Sequence, residues 1–524
     1  MSGSVVLFRR GRSGRRKRGP ALYDFVRSHV DVDGRLQPAG SRLPDEPARD
    51  PSELSWGPGA LDGAFGHAGD DVSDEERGAG VADVVRWACQ RPSARRRQVL
   101  YEQVREDSVL EIADPLTQRL AEHPPDRGAL HELGCWLATT APDRGAVKVG
   151  LVLLGVAGVG EALQVVRVLG AHEELTLYAA VAVGNGTDDP EAELWAMARK
   201  VEGWGRIHCV ERLRHTTDPA IRDWILRTGF RNSVMDDYLA LIAARTGGLL
   251  PALRGPDVDR ELLTAAGEIL QALLPGGPAG DIDDYEDGAE AVEAYLEVMR
   301  TRATDLADLA AVTALQQWLA SDSWTEPPGW SAVERELCLA ACREITARDH
   351  WLDWISVALL SEDEAEFAQA QHLAVTRGQD TFDALLPRIW KDPFEGPWYA
   401  AWREADRARA ERLCAAARDL LPLDLIASGP ADELLGGPDR RPHAALEWTL
   451  QALRDYSGVG GDLLLVGLQS PITRNRVMAL KALQSWPRQA WPAAAPDLVQ
   501  ALATHDPHER TRQYANRVLL EQDD

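Results

Sequence analysis

From about Val81 onward, apolar residues return at spacings of three, four and seven in block after block, and almost nothing in the chain alternates with period two. That spacing puts the apolar side chains on one face of a helix. Val292, Tyr295, Leu296 and Met299 form one such set; Val333, Leu337, Ala341 and Ile345 form a second; Leu413, Ala416, Ala417 and Leu420 form a third. Short Pro, Gly or Asp breaks separate the blocks. The pattern predicts an all-α protein of roughly twenty helices, each about 10–18 residues long.

Three helix starts share a local grammar. Asp218-Pro219 is followed by Arg222, Ser470-Pro471 by Arg474, and Asp506-Pro507 by Arg510. An Asp or Ser at the N-cap accepts from an orphan N–H of the first turn, and proline at the next position loses no hydrogen bond. In each case a helix is expected to end just before, near Leu213, Leu468 and Leu502, which makes a helix–turn–helix corner. Laid over one another at an offset of 36, the last two units match Pro471 with Pro507, Arg476 with Arg512, Ala479 with Ala515 and Leu483 with Leu519. Over about 460–521 the chain resembles HEAT repeats. That resemblance implies an α-solenoid, in which helical hairpins stack because one hairpin cannot bury its own apolar face.

Domain organisation follows from changes in texture. Residues 1–80 read as a basic arm followed by a Pro/Gly/Asp-rich loop segment, with a short helix around Ala21 to His29. Residues 81–275 form a first helical lobe, 276–289 an acidic Gly/Pro linker, and 290–524 a second lobe carrying the HEAT-like units near 460–521. The formal net charge is −25, yet Arg9, Arg10, Arg12, Arg15, Arg16, Lys17 and Arg18 crowd the first twenty residues without an acid among them. A body this acidic repels phosphate backbones and is a poor general nucleic-acid binder. The arm is the one segment suited to a weak contact with an anionic surface. No signal peptide or membrane-spanning stretch is visible, so a cytoplasmic protein is expected.

Candidate motifs that carry chemistry fail on spacing. Gly155, Gly158 and Gly160 run in the reverse of the dinucleotide-binding order. After Gly184 and Gly186 that fingerprint needs a third glycine where Asp189 stands. Both runs read as helix punctuation, with Gly184 closing one helix, Asp189 capping the next and Pro190 opening it. His131-Glu132 and His172-Glu173 lack the second histidine of a zinc-protease pair, with Cys135 and Thr176 at those positions. His208 and His215 are too few for a metal, and Cys338 and Cys342, one helical turn apart, read as core residues. Asp281, Asp283, Asp284, Glu286 and Asp287 fail the calcium-loop pattern at Tyr285 and Ala294. Of 17 tryptophans, eight lie between Trp318 and Trp402. Helix packing is expected of most, and a row of exposed indoles would instead mark a binding groove. Neither a metal nor a cofactor is expected.

The segment from Cys209 to Ala244 (CVERLRHTTDPAIRDWILRTGFRNSVMDDYLALIAA) is similar to chains named limonene hydroxylase. That resemblance implies oxygen- and NADH-dependent hydroxylation of a terpene. The reading drawn from the residues themselves is different: a protein-binding scaffold or adaptor whose solenoid surface receives another protein.

Overall fold

The computed structural model describes residues 19–46, 57–60, 72–106, 108–322, 324–431 and 440–523. Among the described residues the chain forms 28 α-helices and no β-strand. The helices outnumber the expected twenty because turns subdivide the longer blocks, as at Leu249–Leu253 and Leu423–Ile426. No helix among the described residues is long and apolar enough to cross a membrane. The arm residues Arg9, Arg10, Arg12, Arg15, Arg16, Lys17 and Arg18, and the anionic contact expected of them, lie outside the described residues.

The chain divides into two compact units. The first comprises Met1–Pro47, Trp56–Ala303 and Ala311–Ile345; the second comprises Ala48–Ser55, Thr304–Ala310 and Thr346–Asp524. In the first unit the helices Val109–Glu122, Arg144–Ala157, Glu173–Gly186, Gly203–Arg212, Asp237–Arg245 and Arg260–Ala272 touch one another in that order. The hairpin Arg127–Thr140 with Arg144–Ala157 is the tightest pairing. It closes where two glycines meet: a Cβ on Gly150 would stand 2.7 Å from the Ala138 backbone nitrogen and 3.0 Å from the Gly134 carbonyl oxygen. Residues 276–289 lie inside this unit. Ile282 and Tyr285 are buried, and Asp281 and Asp284 cap each other's backbone in a short turn that hangs from Leu273, whose carbonyl accepts from Ile282 N–H at 2.8 Å.

In the second unit, two sets of helices alternate along the chain. Arg407–Leu420, Arg441–Ala452, Thr473–Ser485 and Glu509–Asp523 touch in sequence order, and so do Leu423–Ile426, Gly461–Leu468 and Ala495–His505. Their shared core gathers Leu413, Leu446, Leu464, Leu480, Leu483 and Val499, all essentially inaccessible. Tryptophans close it, and each buried indole N–H finds an acceptor: Trp402 donates to Thr449 Oγ1 at 3.1 Å, Trp486 to Leu453 O at 2.8 Å and Trp491 to Leu483 O at 2.9 Å.

Two of the three apolar sets turn inward as the spacing predicts. The set beginning at Val333 does not: Ala341 and Ile345 are buried, but Val333 and Leu337 are exposed. On helix Ala332–Thr346 the buried arc is centred on Cys338 and Cys342, and Val333 and Leu337 fall to one side of it. The two cysteines are packed in the core, where burial pushes both thiols up to about 12. Gly184 also differs from expectation. The helix runs through it to Gly186, and Asp189 then caps the next helix, accepting from Ala192 N–H at 3.1 Å.

Candidate functional site

The three corners are built differently. At the first, Asp218 Oδ1 accepts from Ala220 N–H at 2.7 Å and Ile221 N–H at 3.2 Å, and helix Pro219–Trp224 begins at the proline. Its last turn widens to a π-turn over Ile225–Gly229. Arg222 reaches across and donates through Nε to Thr246 O at 2.7 Å. At the other two corners the helices start two residues later than expected, at Thr473 and Glu509. Ser470 Oγ accepts from Ile472 N–H at 3.2 Å and Asp506 Oδ1 from His508 N–H at 2.8 Å, so each folds a tight side-chain turn ahead of its helix. Pro471 and Pro507 fall within those turns. Arg474 pairs with Glu447, and Arg510 is exposed.

The two aligned arginines hold their turns alike. Arg476 Nη1 donates to the carbonyls of Ser470 and Pro471 at 2.9 and 2.8 Å, and Arg512 Nη1 to those of Asp506 and Pro507 at 2.6 and 3.2 Å. Each thus binds the turn five and six residues before it.

A cavity of about 600 Å³ opens at the first corner. Glu211, Arg214, His215 and Thr216 border it from the end of helix Gly203–Arg212 and the loop beyond. Arg222 lines it from the next helix, and Leu241, Ile242, Arg245 and Thr246 from the end of Asp237–Arg245. Arg245 is held by Glu286 at 2.9 Å. His208, seven residues before His215, is turned away into the core and stacks on Trp204, so the two histidines do not converge. The lining sets Arg214, His215, Arg222 and Arg245 beside Glu211, Leu241 and Ile242, and its net positive charge suits an anion better than a terpene hydrocarbon. The sequence singles out Arg222 as a corner residue and His215 only as half of a metal pair; Arg214, Thr216 and Arg245 were missed. The one signal for them is a local excess of bases from Arg212 to Arg222 in an acidic chain.

A buried polar network lies elsewhere in the first unit. Lys148 Nζ bonds Glu174 Oε1 at 2.7 Å, and Arg144 grips Asp45 at 3.1 Å and also faces Glu174 at 3.4 Å. His172, fully buried, caps helix Glu173–Gly186. Its Nδ1 accepts from Glu174 N–H at 3.2 Å, which leaves the proton on Nε2 to donate to Ser41 O at 3.2 Å. Burial lowers its pKa to about 4, helped by Arg144 and opposed by the Glu174 and Asp45 carboxylates. The neighbouring Glu173 moves the other way. Burial raises its carboxyl to about 7, with Glu202 adding to the rise and a hydrogen bond from the Trp204 backbone opposing it.

In the second unit, helix His350–Ala358 buries Trp351, Ile355 and Ala358 and exposes apolar residues on its other side. Leu352 and Trp354 are 45% and 38% exposed, Val357 is 71% and Leu360 is 81%. Trp354, Val357 and Leu360 stand three apart, so they form one ridge, which the bond from Leu360 N–H to Val357 O at 3.0 Å carries into the closing turn. Exposed acids flank it at Asp349, Asp353, Glu362 and Asp363. Of the eight tryptophans from 318 to 402, Trp330, Trp351, Trp398 and Trp402 are buried, and Trp354 and Trp390 are exposed.

Among the described residues no group of three or more His, Cys, Asp or Glu side chains is placed to hold a metal ion. No family model matches the chain, and no curated protein matches it at a significant level.

Proposed function

We propose that the rows of touching helices continue as a HEAT-like α-solenoid, and that the protein is a scaffold which docks an amphipathic, basic helix of another protein on the Trp354–Val357–Leu360 ridge. The observation that carries this reading is the exposure of that ridge on a helix whose opposite face is fully buried. Fully covering a Val or Leu side chain is worth about 1.5–3 kcal/mol, and monomeric proteins seldom leave such residues grouped in water. Trp354 leans on Trp351 and His350, but Val357 and Leu360 stand largely in water among the described residues. A docked partner covers them.

The flanking acids select the partner's charge. Asp349, Asp353 and Asp363 favour Lys or Arg on the rim of the docking helix, where opposite charges steer encounter and set register, while Glu362 is already paired with Lys391. A second copy of this chain fits poorly, because it would set two acid-flanked ridges against each other.

The test uses a synthetic helix of alternating Leu and Lys faces, a Leu/Glu helix of the same length, and the full chain. The Leu/Lys helix binds the wild type, the Leu/Glu helix does not, and Val357→Ser with Leu360→Ser weakens binding at least about tenfold. Serine leaves the charge unchanged, so equal binding by the variant would reduce the interaction to general attraction for an acidic protein and end the proposal.

A further inference from the structure

We infer that the cavity at the Asp218 corner is a binding site for a small phosphate-bearing molecule. This is independent of the docking ridge and rests on the donor inventory of the cavity wall. Among the described residues Arg214 and His215 make no side-chain hydrogen bond, and Arg222 spends only Nε, on Thr246 O, leaving both Nη groups without an acceptor there. Thr216 is buried, and its hydroxyl already accepts from Asp218 N–H at 3.2 Å, so what remains to it is a proton to donate. The wall thus offers guanidinium, imidazole and hydroxyl donors against one carboxylate, Glu211, on its rim.

Two ordinary explanations account for part of this set. Arginines often gather at helix ends to satisfy terminal carbonyls: Arg222 Nε does so for Thr246 O, and Thr246 Oγ1 serves the Arg214 carbonyl at 2.5 Å, which leaves no such role for the Arg214 guanidinium or the Arg222 Nη groups. They also pair with carboxylates, as Arg245 does with Glu286, Arg227 with Asp259 and Arg418 with Asp462. Arg214 and Arg222 have no carboxylate partner among the described residues, and both border the same cavity.

The geometry distinguishes among anions. Donors arrive from two separate segments, the loop carrying Arg214, His215 and Thr216 and the helix carrying Arg222. A carboxylate presents its lone pairs in one plane, whereas a phosphate presents oxygens in all directions and can meet both walls. A cavity of about 600 Å³ is larger than a bare phosphate needs, so the ligand carries an organic part. Glu211 on the rim would meet a hydroxyl or amine of that part and would repel a naked anion.

The experiment is calorimetric titration of the full chain, at low salt, with pyrophosphate and with citrate. Pyrophosphate binds saturably and more tightly than citrate. Arg214→Ala, which removes a side chain with no protein partner, weakens it by at least about tenfold, as expected for a charge-assisted hydrogen bond. Arg510→Ala, an exposed arginine at a corner outside the cavity, leaves it unchanged. Glu211→Gln tightens pyrophosphate by relieving repulsion, an effect that a merely structural glutamate would not produce. Absence of saturable heat with the wild type, equal binding by Arg214→Ala, or tighter binding of citrate than of pyrophosphate would each overturn the assignment.

Discussion

Arg476 and Asp506 form a bidentate ion pair in which both side chains are completely buried, at 2.7 Å from Nε and 3.0 Å from Nη2. The remaining Arg476 donors are used as well, on the carbonyls of Ala431, Ser470 and Pro471. One arginine therefore ties the turn at 470–471 to the turn at 506. Removing one partner leaves the other charged and dry, which costs about 3–5 kcal/mol, whereas replacing both by apolar residues costs far less. Asp506→Ala should accordingly loosen helix Thr473–Ser485 strongly, and Arg476→Met with Asp506→Leu should cost well below the sum of the single changes. Amide exchange of that helix measures both. Arg512→Ala, at the equivalent but partly exposed position, should cost only about 1 kcal/mol.

His172 and Glu173 are adjacent and titrate in opposite senses. Between about pH 4 and pH 6.5 the unfolded chain protonates His172 while the folded chain does not, so this residue makes stability fall as pH falls. Between about pH 4.5 and pH 7 the folded chain keeps a proton on Glu173 that the unfolded chain has lost, so this residue makes stability rise as pH falls. Over the shared window the two effects oppose, and the wild type conceals both. Glu173→Gln should expose the histidine, with stability dropping by up to about 3 kcal/mol from pH 6.5 to pH 4 relative to wild type. His172→Asn keeps a capping side chain and should expose the glutamate, with stability rising as pH falls. Urea midpoints of the three proteins across pH provide the comparison.

Glycines separate packing from punctuation. Gly150→Ala forces a methyl into the backbone of the facing helix and should cost about 1–3 kcal/mol. Gly184 lies inside a helix with open space around it, so Gly184→Ala should stabilise by about 0.5–1 kcal/mol. Had Gly184 closed the helix in a left-handed conformation, the same change would destabilise. Thermal midpoints decide the sign.

The docking ridge predicts a contrast on one helix. Val357→Ser with Leu360→Ser should change stability by no more than about 0.5 kcal/mol, since both side chains stand in water. Ile355→Ala, fully buried on the other face of the same helix, should cost about 2–5 kcal/mol. Denaturant unfolding of the two variants checks it.

The all-α class was legible because helical periodicity is a local property, plain in Val292 to Met299 and in Leu413 to Leu420. Which residues the core covers was less legible: Val333 and Leu337 carry the same spacing and are exposed, because spacing gives a helix face and only the neighbours decide whether it is covered. The corner grammar located the turns at Asp218, Ser470 and Asp506 and the cap at Asp218, but not the later helix starts at Thr473 and Glu509, where Asp506 is engaged by Arg476 thirty residues earlier in the chain. The cavity was the least legible, being assembled from Glu211 to Arg222 and from Leu241 to Thr246, segments that meet only after folding. Charge excess near Arg214 was its only trace.

The docking reading is tested most directly by a hydrogen-exchange footprint of the Leu/Lys helix on the full chain. The account predicts new protection along Trp351 to Leu360 that disappears in Val357→Ser with Leu360→Ser. Protection spread over acidic surfaces elsewhere, with none on that ridge, would contradict it.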